Sequence, residues 1–123
     1  NSLAPSIVGA ANKVFEILSS STKLRDQLEK NTSYFKKKII EAGFDIKAGN
    51  SPIIPIMLYD AALSQKFADM LLEQGVYAVG FFYPVVPKGK ARIRTQISAA
   101  HTKEHLDLAI SAFVKVGKQL NVI

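Results

Sequence analysis

The apolar positions of this chain change period several times, and the changes mark its elements. Behind Pro5, a residue suited to the first turn of a helix, Ile7, Ala11, Val14, Ile17 and Leu18 recur at helical spacing as one apolar stripe. The Ser19–Thr22 cluster interrupts them. A second helical pattern carries Leu24, Leu28, Phe35, Ile39 and Ile40 on one side and stops at Gly43, a C′ residue. After a turn over Gly49–Pro52, the run IIPIMLYD reads as a strand. Pro55 within it has no N–H for a ladder, which places it at an edge or a bulge. Asp60 then caps a third helix with Leu63, Phe67, Met70 and Leu71 at helical spacing, ended by Gly75.

Val76–Tyr83 and Ala91–Ser98 read as two further strands. Pro84, Pro87 and Gly89 make their connection an irregular loop rather than a tight hairpin. Thr102 caps a last helix that turns Leu106, Ala109, Ile110, Phe113 and Leu120 inward. The order helix, helix, strand, helix, strand, strand, helix predicts an α+β domain of two layers. A roughly three-stranded sheet would carry its helices on one face.

One strand departs from ordinary patterning. Side chains alternate across a strand, so Ile93 and Ile97 point one way while Arg92, Arg94 and Gln96 point the other. Two readings stay open on the residues alone. Both arginines can be surface ion-pair partners. Alternatively, one grips a carboxylate through the two-bond fork that guanidinium geometry favours over lysine.

Composition narrows the chemistry. At 123 residues the chain holds one domain, and its 48% apolar content fits a folded core rather than disorder. With no cysteine, disulfide scaffolds and thiolate metal sites are excluded, which suits a cytoplasmic home. The net charge of +6 and the Lys36–Lys38 triplet invite a nucleic-acid reading. The triplet sits on a helix between Phe35 and Ile39 without a stacking platform, so it reads as a solvated face. His101 and His105 are four residues apart but lack an HExxH pattern, and no metal site is expected. Ser98 and His101 lack a third triad member, and KGK at 88–90 is not a phosphate loop. Phe81, Phe82 and Tyr83 read as core and sheet packing. No run is long and apolar enough to suggest a membrane span, and the start NSLAPS resembles no leader. That start also lacks Met, as expected of a piece cut from a longer chain.

The segment GFFYPVVPKGKARIRTQISAAHT resembles the pyridoxal-phosphate-dependent α-oxoamine synthases, whose shared core reads VP-x-G-x-x-x-I-R. NSLAP at the start, IIPIML in the middle and GKQLNVI at the end resemble the same family, so the likeness spans essentially the whole chain. It implies that residues 1–123 are the small C-terminal domain of a type I pyridoxal-phosphate enzyme, with the large cofactor-binding domain absent. The longer wording resembles the member that joins glycine and acetyl-CoA to 2-amino-3-ketobutyrate and CoA as a homodimer. By that resemblance Arg94 binds the amino-acid carboxylate, and Asn1 follows a serine, the pair reaching the cofactor phosphate in the partner subunit. The Schiff-base lysine would lie outside this chain, leaving the domain inactive alone and without a catalytic residue. Arg92 would meet an acidic group of the large domain, and Pro84–Lys90 would border the substrate entrance. Another α-oxoamine synthase with a different acyl-CoA, a small anion-binding module and a basic nucleic-acid binder are the competing readings.

Overall fold

In a computed structural model, which describes residues 2–123, four helices and three strands follow the predicted order. They are α1 (Pro5–Ser20), α2 (Lys23–Glu41), β1 (Ile53–Tyr59), α3 (Ala61–Glu73), β2 (Val79–Phe81), β3 (Ala91–Gln96) and α4 (Lys103–Gln119). The strands form an antiparallel sheet in the order β1-β3-β2. Helices α2, α3 and α4 gather on one face, where Ile54, Ile56, Leu58 and Ile93 are buried against Phe35, Phe67, Leu71 and Phe113. The architecture is the α+β two-layer domain that the sequence pattern predicts.

Local chemistry sets the boundaries. The Asp60 carboxylate accepts from the Leu63 amide at 2.7 Å. Thr102 forms a capping box with His105 at the start of α4. Three helices stop alike, on a left-handed residue: Gly43, Gly75 and Asn121. At each, two backbone amides turn back onto the last carbonyls, as in Phe44 to Ile39 and Val122 to Gly117. Pro55 lies on edge strand β1, where its carbonyl accepts from the Lys47 amide on the side away from β3.

Three expectations need correction. The Val76–Tyr83 strand shrinks to Val79–Phe81. Val76 is consumed by the α3 cap, its amide donating to Leu71, and the Phe82 carbonyl accepts from Val85 and Val86 in a turn. The third strand ends at Gln96 rather than Ser98, because the Ser98 amide leaves the ladder for the ring of His101. Finally, Leu24 and Ile40 are exposed although they share a helix with buried Phe35 and Ile39.

Helix α1 is the outlier. Its predicted stripe exists, yet none of its residues is buried, and it packs along no other helix or strand.

A tyrosine hydroxyl on α2 reaches an ion pair of α4 at the surface. The Tyr34 hydroxyl and the Lys103 ammonium both donate to Asp107. Chiefly through Lys103, they hold the Asp107 carboxyl below its ordinary range. The small stability from this exposed group is therefore present above that range and fades as pH falls through the depressed value.

Where α3 meets β2, a Cβ on Gly80 would lie 3.1 Å from the Ser64 carbonyl, so a larger residue there would need the helix backbone to give by a few tenths of an ångström. At the same place the Ser64 hydroxyl is fully buried with no hydrogen-bond partner among the described residues. Removing an unpaired buried hydroxyl recovers its desolvation cost, and alanine is the better helix former. Ser64→Ala is therefore expected to stabilise the fold by about 1 kcal/mol. A raised urea midpoint at unchanged m-value would register the gain; a lowered midpoint would show a hidden partner for the hydroxyl.

Candidate functional site

The sheet face opposite the helices is set by register. Arg94 pairs with Val79 on β2 and Pro55 on β1, and Arg92 pairs with Phe81 and Met57. Directly paired residues share a face, so both arginines stand with Gln96 in a surround of apolar side chains, as the alternation predicts. They do different things there. The Arg92 Nε donates to the Lys90 carbonyl at 3.1 Å, which draws the side chain back along the loop. The Arg94 guanidinium lies 5.4 Å from the Phe81 ring centre, in cation–π range. Phe81 does pack on the sheet, but on the open face beneath Arg94 rather than in the core.

Arg94 lines an open cleft of about 680 Å³ with Val79, Phe81, Gln96, Ile97 and His101 among its other walls. No acidic residue lines it, and neither arginine joins an ion pair among the described residues. A cation in a mostly apolar cleft without a counter-charge suits an anionic group arriving from outside.

The turn that supplies Ser98 and His101 to the cleft is held by a residue the sequence reading passed over. Asn31, only 6% exposed on α2, donates to the carbonyls of Ser98 at 2.9 Å and His101 at 2.8 Å. Its own carbonyl oxygen accepts from Gln27 at 2.8 Å. All of its side chain is thus used to fix the turn between β3 and α4. The available signal was the Gln27–Asn31 pair at i,i+4, which points to a hydrogen-bonded helix site.

The other candidates resolve into structural roles. His101 accepts the Ser98 amide on Nδ1, and His105 accepts the Thr102 amide on its own Nδ1. The Ser98 hydroxyl accepts from the Ala100 amide, so it does not address the His101 ring as a nucleophile would. Lys36 donates to the Gly49 carbonyl, and Lys37 and Lys38 both pair with Glu41. In the Pro84–Lys90 loop, Lys88 rests 5.1 Å from the centre of the Tyr83 ring. Asn1, the expected neighbour of the cofactor phosphate, lies outside the described residues. No lysine lines the Arg94 cleft. The residues there fit a carboxylate grip and do not themselves fit pyridoxal phosphate, which needs an amine for its aldehyde.

Residues 1–113 match the family model described as aminotransferase class I and II. The chain belongs to that family. The 2-amino-3-ketobutyrate coenzyme A ligase of Escherichia coli K12 is 53% identical over all of this chain, which covers 31% of that protein. An 8-amino-7-oxononanoate synthase from Thermosipho melanesiensis is 49% identical over 98% of this chain and 31% of its own length. Among solved structures, serine palmitoyltransferase from S. paucimobilis with a bound PLP–myriocin aldimine superposes with a TM-score of 0.91. It is 27% identical, and the match covers 99% of this chain and 31% of that one. This family member therefore spans about a third of the length of the curated relatives it matches. No helix among the described residues is long and apolar enough to cross a membrane.

Proposed function

We propose that residues 1–123 are the small C-terminal domain of a pyridoxal-phosphate-dependent acyltransferase that condenses glycine with acetyl-CoA, giving 2-amino-3-ketobutyrate and CoA. The observation that carries this reading is Arg94, uncompensated in its cleft, within a chain 53% identical to a 2-amino-3-ketobutyrate coenzyme A ligase. In this reading Arg94 receives the glycine carboxylate in a two-bond contact. Its guanidinium stays protonated, so it orients the amino acid and moves no proton. Phe81 braces the guanidinium, and Asn31 keeps the Ser98–His101 turn of the cleft in place. Arg92, with the donors left over from the Lys90 carbonyl, meets an acidic group outside this chain. The cofactor, its lysine and the remaining catalytic groups belong to the rest of a homodimeric polypeptide that works in the cytoplasm. Asn1 stands beside the cofactor phosphate of the partner subunit.

The 49% match to an 8-amino-7-oxononanoate synthase supports a second reading within the same chemistry, a longer acyl-CoA. Both are tested by the full-length gene product loaded with pyridoxal phosphate and assayed for thiol release with glycine or with alanine across acyl-CoA lengths. Release with acetyl-CoA and glycine is expected. Release only with long acyl chains would select the second reading, and none with any acyl-CoA would refute both.

A further inference from the structure

The turn from Ser98 to His101 is closed by more hydrogen bonds than a turn needs. The His101 amide donates to the Ser98 carbonyl at 3.2 Å. The Ser98 amide donates back to the His101 ring at Nδ1, also at 3.2 Å. From α2, the buried Asn31 donates to the carbonyls of both residues. The ring is thereby fixed relative to its own backbone, and that backbone relative to α2.

This arrangement decides where the imidazole keeps its proton. A neutral imidazole has one N–H and one lone pair, and a nitrogen that accepts from an amide cannot carry the proton. Nδ1 of His101 is the acceptor, so Nε2 is the donor. Among the described residues Nε2–H meets no acceptor. The ring borders two hollows. One is a mostly apolar cavity of about 430 Å³ whose walls include Phe35, Leu106 and Phe113. The other is the cleft of Arg94. Only the cleft is lined by a permanent charge, which draws an acceptor towards it.

We infer that His101 is a second binding residue of this cleft, its Nε2–H donating to the carboxylate that Arg94 holds. The inference rests on the glycine reading proposed above. A carboxylate offers about four lone-pair sites, and a two-bond guanidinium contact occupies only two of them. Two parallel bonds from one fork leave the carboxylate free to tilt about that fork. A third donor, carried by the turn rather than by β3, removes this freedom. In this tautomer the donor is neutral, so it adds a hydrogen bond without setting a second cation beside Arg94. Asn31 is then the positioning residue, because it holds the turn that carries the ring. The competing account makes His101 a turn closer alone, with Nδ1 the only ring atom that matters.

Two substitutions separate these accounts in the full-length gene product loaded with pyridoxal phosphate. His101→Asn keeps an acceptor at the Nδ1 position for the Ser98 amide and offers nothing at Nε2. His101→Gln places its carboxamide at the Nε2 position and gives up the turn bond. Loss of one hydrogen bond to a charged group should raise KM for glycine about tenfold in His101→Asn, with kcat and KM for acetyl-CoA unchanged. His101→Gln should stay within about threefold of the parent KM for glycine. An Asn variant with the parent KM for glycine would overturn the inference, as would one whose KM for acetyl-CoA rises equally. A Gln variant impaired as much as the Asn variant would also overturn it. Should the Gln variant fail to fold, the Asn variant decides by the same criterion. Arg94→Lys is measured alongside. An unchanged KM for glycine there removes the glycine reading itself, whereas a raised one beside an unaffected His101→Asn removes only the role of His101.

Discussion

Replacing Arg94 with lysine in the full-length protein should lower kcat/KM for glycine by about ten- to a hundredfold, mostly through a raised KM. The charge survives this change, but the rigid fork does not. Losing one charge-assisted hydrogen bond costs roughly 1.5–3 kcal/mol, which is one to two decades in rate. Lysine would also give up the flat contact with the Phe81 ring. Arg94→Ala should lose more, about a thousandfold, because the incoming carboxylate would then enter a mostly apolar cleft without a partner. Steady-state kinetics with glycine varied at saturating acetyl-CoA would measure both. An Arg94→Lys enzyme with unchanged kcat/KM would remove Arg94 from the carboxylate role.

Truncation of Phe113 to alanine should be the most damaging core change, at about 3–5 kcal/mol. The ring is 1% exposed and lies 5.7–6.1 Å from the rings of Phe35, Phe44 and Phe67. Its removal therefore takes contacts from three elements at once: α2, the segment after it, and α3. Against the 5–15 kcal/mol typical of a domain, that loss leaves little. Phe113→Leu keeps most of the volume and should cost clearly less. Urea unfolding of the three proteins would rank them; an alanine variant as stable as the leucine one would mean the site collapses to fill the void.

Much of this was legible in the residues because it depends on periodicity. The alternation through Ala91–Ile97 is enough to put Arg92, Arg94 and Gln96 on one face, since a strand has no other way to arrange them. The caps at Asp60 and Thr102 follow from local chemistry. What the pattern cannot say is what covers a face. In α1 and in α2 the apolar stripes look alike, yet Phe35 and Ile39 meet the core while Val14 and Phe15 meet solvent. The separation of the two arginines was likewise hidden, because it turns on the Lys90 carbonyl and the Phe81 ring, and neither leaves a trace in spacing. Asn31 was missed for a related reason. A polar residue in mid-helix is ordinarily solvated, and its partners Ser98 and His101 are distant in sequence. The α-oxoamine synthase resemblance in residues 80–102 reached further than the pattern did, and the family match bears out its enzyme class.

Pro55 gives the sheet a direction of growth. The flank of β1 away from β3 is already bonded by Asp45 and Lys47, and the proline leaves a gap in its row of donors. An incoming strand would have to displace that segment and would still find no N–H at the middle of the edge. β2, by contrast, has β3 on one side and no strand on the other among the described residues. If the complete protein lengthens this sheet, it does so beside Val79–Phe81, next to the wall that holds Arg94.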